Sequence, residues 1–125
     1  MDLISTLAVA LAAAVPSGTW AGSSPAAPAV SMQIKSGTVI AATAWTSTYN
    51  CELGGFVGPA QVKVRPKAKV SRSGRISFSS GTRTRKLHAN LLYRSGKISG
   101  KIRIAGNSGG PCSSPTVAVR LARKR

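Results

Sequence analysis

The stretch QVKVRPKAKV, residues 61–70, alternates side chains with a period of two. Each even position is aliphatic or proline, and each odd position from Lys63 onward is basic. This period is that of a β-strand with one buried and one solvated face. The turn residues 71–74 follow, and Ile76 and Phe78 then resume the apolar face, which predicts a hairpin.

The same alternation appears in four further stretches, residues 38–50, 87–93, 98–104 and 117–121. Six strands joined by short turns predict an all-β fold, a small antiparallel meander that closes as a barrel or folds as a two-layer sandwich. Pro66 cannot donate a ladder hydrogen bond, so we expect an edge or a bulge there. Gly100 lies in mid-strand, where we expect a bend.

The N-terminus has the features of an export signal. Residues 3–15 read LISTLAVALAAAV, an uncharged apolar run of the length of a signal-peptide core and short for a membrane span. The small-x-small rule predicts cleavage after Ala21, with residues 25–29 as a later alternative. Asp2 occupies a position where signal peptides usually carry a basic residue. The competing interpretation is a buried N-terminal helix of the mature fold.

These features divide the chain into three parts. We predict a helical signal peptide at residues 1–21, a flexible lead-in rich in Pro, Ala and Ser at residues 22–36, and a basic β-domain at residues 37–125. The protein is therefore expected to be secreted or extracytoplasmic, with no transmembrane helix in its mature form.

Two cysteines, Cys51 and Cys112, are the only thiols in the chain. In an exported protein two cysteines are expected to form a disulfide, which would stabilise a domain with a modest core. A metal site is the alternative, but two Cys and the single His88 do not complete a tetrahedral shell. We expect neither a metal nor another cofactor.

The chain is strongly basic, with 18 Lys and Arg, 2 Asp and Glu and a formal net charge of +16. Such a surface favours contact with polyanions, and outside the cytoplasm an anionic cell-envelope polymer is a natural partner. The alternative is a solvated outer face that keeps sheet edges soluble, in a spacer domain with no specific ligand. The predicted polyanion-binding residues are Lys63, Arg65, Lys67, Lys69, Lys97, Lys101 and Arg103.

The hexapeptide GNSGGP, residues 106–111, resembles the segment around the nucleophilic serine of trypsin-like proteases. That resemblance implies Ser108 as nucleophile and His88 as base. An acidic residue must orient the base, and beyond Asp2 the chain contains only Glu52, which is next to a predicted disulfide. With one His and two acids, general acid–base catalysis lacks its usual groups, and we expect no enzymatic activity.

The region from Cys51 to Val119 contains a hairpin SGRISF, a strand GKISGKIRI and a late loop GGPCSSPTV. In these features it resembles small exported disulfide-bridged β-domains of unassigned function from high-GC bacteria. The resemblance implies export, an all-β fold and the disulfide. It implies no particular activity.

Overall fold

The computed structural model describes residues 15–53, 57–107 and 110–124. Within these ranges the only regular secondary structure is the β-strand. The predicted signal helix falls largely on residues 1–14, outside them. The ten strands are β1 (Gly18–Gly22), β2 (Ala29–Lys35), β3 (Thr38–Cys51), β4 (Val57–Val64), β5 (Ala68–Lys69), β6 (Arg75–Gly81), β7 (Lys86–Arg94), β8 (Lys97–Asn107), β9 (Pro111–Ser113) and β10 (Val117–Arg123).

Six of the strands form a closed antiparallel ring. The hydrogen-bonded order is β10–β1–β2–β3–β9–β8, and β8 pairs again with β10. The expected all-β fold is thus confirmed, and closure of the ring makes it a barrel. The predicted strands at residues 38–50, 87–93, 98–104 and 117–121 correspond to β3, β7, β8 and β10.

The remaining four strands extend the ring at β3 and β8. Ala42 and Ala44 pair with β2 on one edge of β3 and with β4 on the other. In the same way, Ile98 and Ile102 of β8 lie between β10 and β7, and β6 pairs with the far edge of β7. β3 and β8 therefore have paired neighbours on both sides, and β4 also contacts β6 and β7.

One apolar cluster fills the interior, and it draws on nearly every strand. Ile98, Ile102 and Ile104 of β8 are buried, whereas Lys97, Ser99 and Lys101 are exposed, as the alternation predicts. The largest fully buried side chains are Trp20, Tyr49, Ile76, Ile98, Ile104 and Leu121. The strand positions of these residues fix which side chains face outward.

Three of the strands lie where we expected none. β1 falls at the end of the predicted signal peptide, β2 occupies about half of the predicted lead-in at residues 22–36, and β9 lies in the predicted late loop. β2 has the strand period, with Val30, Met32 and Ile34 buried, but it follows a Pro- and Ala-rich stretch whose composition is typical of linkers. The folded region therefore begins well before residue 37.

The expectation for Pro66 agrees with the structure, whereas at Gly100 β8 keeps its pairing with β7 and β10 without a register shift. Pro66 separates β4 from β5, and the next residue, Lys67, has a positive φ of 51°. Gly100 has φ 154°, and a Cβ at this position would overlap the Asn90 carbonyl oxygen on β7. No helix in the described ranges is long and apolar enough to cross a membrane.

Candidate functional site

The predicted disulfide is formed. Cys51 at the end of β3 lies directly opposite Cys112 of β9, with a Cα–Cα distance of 4.0 Å. The Glu52 amide donates to the Pro111 carbonyl at 3.0 Å beside it. Because β9 also pairs with β8, the disulfide lies where β3 and β8 are joined. A disulfide is consistent with an extracytoplasmic location.

A row of cations runs along the outward face of β8. Lys97, Lys101 and Arg103 alternate with buried isoleucines and so point to the same side of the sheet. Six residue steps on a strand span about 20 Å. Neighbouring strands widen this row, because residues directly opposite each other share a face. We call this surface the β8 track. It consists of Lys97, Lys101 and Arg103 on β8, together with three residues of the neighbouring strands: Arg94 opposite Lys97, His88 opposite Arg103 and Arg120 opposite Ser99.

A groove of about 280 Å³ lies at the Arg103 end of the β8 track. Its walls carry hydrogen-bonding groups from three strands and the loop before β10. The polar lining residues are Ser77, Ser79, His88, Asn90, Lys101, Arg103 and Thr116. Arg103 Nη1 also donates to Ser113 Oγ at 3.2 Å, on β9 at the edge of β8 away from β7 and the groove.

His88 is the one imidazole that lines the groove. Its Nδ1 is 2.7 Å from Ser79 Oγ on the adjacent strand β6. Burial of the imidazole, then the Arg103 guanidinium, then the Lys86 ammonium lower the pKa of His88 below its ordinary value of 6.5. At neutral pH the imidazole is therefore uncharged, and both charges that act on it are positive.

A second depression, of about 590 Å³, lies at the other end of the β8 track. It is formed where the β7–β8 turn meets the end of β10. Gly96, Lys97, Ala122, Arg123 and Lys124 line it. Cations thus border a concave surface at both ends of β8.

The structure separates the seven predicted polyanion-binding residues into two groups. Lys63 is on β4, Lys69 on β5, and Arg65 and Lys67 lie between these strands, all four exposed beside β3. The other three, on β8, belong to the β8 track. The sequence did not predict Arg94, Arg120 or His88 as part of the polyanion-binding surface. Arg94 could have been found, because it and Lys97 flank a two-residue turn and must therefore lie side by side.

The protease-like arrangement finds no support among the described residues. Ser108 lies outside them. His88 has Ser79 as its hydrogen-bond partner, and its register partner on β8 is Arg103. Asn107, which precedes Ser108, lies four residues beyond Arg103 on β8, about 13 Å from it. Glu52, the only acid in the described ranges, lies next to the disulfide.

Not every cation is available to a ligand. Arg85, in the loop just before β7, lies over the Tyr49 ring at 5.0 Å and donates from Nη1 to the Gln61 carbonyl at 3.0 Å. It therefore connects β7 to β3 and β4 within the fold.

The described residues contain no group of three or more His, Cys, Asp or Glu side chains placed to hold a metal ion. Comparisons with protein-family models, with curated proteins and with solved structures returned no match.

Proposed function

We propose that the protein is an exported module that binds an anionic polymer of the cell envelope along the β8 track. The observation that carries this proposal is the row of outward cations on one strand, Lys97, Lys101 and Arg103, with a concave basic surface at each end. A linear polymer can follow such a row and contact successive cations with successive anionic groups.

The electrostatics favour this mode of binding. Glu52 is the only acidic side chain in the described ranges, so most of their cations have no carboxylate side chain with which to form an ion pair. Cations without such partners bind counterions and small anions in solution. A polyanion that replaces these ions gains affinity from their release, and the affinity then falls as salt rises.

The groove offers hydrogen-bonding groups to a bound anion in addition to positive charge. Arginine, asparagine and serine donate to the oxygens of carboxylate, sulfate and phosphate groups, and a guanidinium can donate twice to one such group. Arg103, Asn90 and Ser77 lie in the groove together with the ammonium of Lys101. The groove thus supports binding of one anionic group of the polymer more tightly than the open part of the track.

The first test is a triple substitution of the β8 track. We expect Lys97→Gln, Lys101→Gln and Arg103→Gln together to weaken binding to heparin, used as a model sulfated polysaccharide, by about 100-fold at low salt. The slope of log affinity against log salt should fall by about 2 to 3, because about one ion is released per cation. Titration calorimetry at several salt concentrations measures both quantities.

The matched control removes the same charge elsewhere. Lys63→Gln, Lys67→Gln and Lys69→Gln together lower the net charge by the same three units on the surface beside β3. We expect this variant to lose less than about fivefold, the effect of long-range charge alone. Equal losses in the two variants would contradict a localised track, and tight salt-resistant binding in both would contradict an electrostatic interface.

His88 provides a second, independent test. A bound polyanion stabilises the imidazolium, so it should raise the pKa of His88, which burial, the Arg103 guanidinium and the Lys86 ammonium lower in the free protein. By linkage, affinity should then increase as pH falls through the range between the free and bound pKa values. An NMR titration measures this directly, because His88 is the only histidine in the chain.

The control for this titration is neutral dextran, which should leave the pKa of His88 unchanged. The His88→Gln variant should still bind heparin but lose the pH-dependent part of the affinity. An unchanged pKa at saturating heparin would place the bound polymer away from the groove. Two other charged groups lie near this site. Lys101 lines the groove itself, and Glu52 lines a separate depression on the far side of Arg103.

A further inference from the structure

Strand β1 closes the barrel. Trp20 and Ala21 pair with Arg123 and Ala122 of β10 on one edge and with Met32 and Ser31 of β2 on the other. Trp20 is 1% exposed, and its ring packs edge-on against Tyr93 at a centroid distance of 5.7 Å. Among the described residues β10 and β2 contact each other but do not pair directly, so β1 provides the only strand pairing between them.

Cleavage after Ala21 would remove most of this strand. The product would lack Trp20 and would leave the facing edge of β2, and Ala122 and Arg123 of β10, without their strand partners. Cleavage within residues 25–29 would remove all of β1, with the same consequence. Exposed sheet edges and a large vacancy in the core are both strongly unfavourable. A signal peptide that ends at either site is therefore incompatible with the barrel.

The residues before β1 also contribute to the fold. Val15 is buried in the core cluster, and the Pro16 carbonyl accepts a hydrogen bond from Trp20 Nε1 at 3.1 Å. Ser17 Oγ accepts a hydrogen bond from the Ser36 amide at 3.0 Å, at the β2–β3 turn. The folded region thus extends upstream at least to Val15.

A small-x-small sequence lies immediately before this point, with Ala12 and Ala14 at the two positions that must be small. The apolar run from Leu3 to Leu11 then covers nine residues, within the range of a signal-peptide core. We infer that a signal peptidase cleaves the chain between Ala14 and Val15. This inference rests on the export that the proposed function includes, but not on polymer binding.

The reaction is hydrolysis of one peptide bond. The bond between the Ala14 carbonyl carbon and the Val15 nitrogen breaks. Water supplies the hydroxyl of the new Ala14 carboxyl group and a hydrogen for the new Val15 amine. The product retains Val15, Pro16 and Ser17 and therefore every contact of β1 described above.

The test is the N-terminus of the exported protein. The full chain is expressed in a bacterial secretion host, and intact mass and N-terminal sequencing are measured on the exported fraction. We expect the sequence Val15-Pro16-Ser17. A start at Gly22, or within residues 26–30, would overturn the inference while leaving export intact. A chain that stays in the cytoplasm with residues 1–14 attached would count against export and the inference together, whereas heparin binding of the purified chain is measured separately.

A matched pair of variants makes the result specific to the site. Ala14→Leu places a large side chain immediately before the bond and should leave most of the chain as uncleaved precursor. Ala21→Leu makes the same change at the other candidate site and should be processed like the natural sequence. The reverse pattern would overturn the assignment.

Discussion

Replacing Trp20 with alanine is expected to lower the free energy of unfolding by about 4 kcal/mol, the typical cost of removing a fully buried large aromatic side chain. The indole is 1% exposed, packs against Tyr93 with an interplanar angle of 82°, and donates to the Pro16 carbonyl. The substitution removes all three contributions in the strand that closes the barrel. Urea unfolding followed by circular dichroism measures the loss.

The chain supplies its own control in Trp45, the second of its two tryptophans. Trp45 is 40% exposed on β3, whereas Trp20 is almost fully buried. We expect Trp45→Ala to change the free energy of unfolding by no more than about 1 kcal/mol. Similar losses for the two variants would mean that β1 is not part of the barrel, and would also remove the basis for cleavage before Val15.

The strands that the sequence predicts correctly are those joined by short turns. In the β7–β8 hairpin, Ser95 and Gly96 both have positive φ, 53° and 77°, as a two-residue turn of the primed type requires. Such a turn fixes the register of its two strands, so the alternation of Lys97, Ile98 and Ser99 gives the outward face directly.

β1 could not be predicted in this way, because the pairing that closes the barrel, with β10, is with a strand distant in the chain. Trp20 pairs with Arg123 of β10, and no local pattern in five residues encodes a contact of that range. The small residues around it also satisfied a competing rule, that for signal cleavage. Sequence periodicity therefore identified the interior of the fold better than its closing strand.

The basic surface was predictable only within single strands. Periodicity showed that Lys63 and Lys101 both point outward, but it does not say whether their strands are neighbours. The structure places Lys63 on β4, beside β3, and Lys101 on β8, between β7 and β10. The pairing of Ser79 with His88 depends on the register of a longer loop, residues 82–85, which no turn rule fixes.

Removing the disulfide is the second substitution with a large expected effect. Cys51→Ala and Cys112→Ala together should lower the free energy of unfolding by about 4 kcal/mol, because the bond closes a long loop in the unfolded chain. The two residues are 61 apart in sequence. Unfolding in urea under non-reducing conditions, compared with the natural sequence, measures the change.

The natural protein in the presence of a reductant is the matched control, and it should unfold at nearly the same urea concentration as the double variant. Local structure adds to the effect of loop closure. β9 has three residues and pairs with β3 only at Ser113 and Cys112, so without the disulfide this junction depends on two register pairs. We therefore expect amide exchange to accelerate first in β9 and the end of β3. A double variant as stable as the oxidised protein would contradict both the entropic argument and the role of the disulfide in joining β3 to β8.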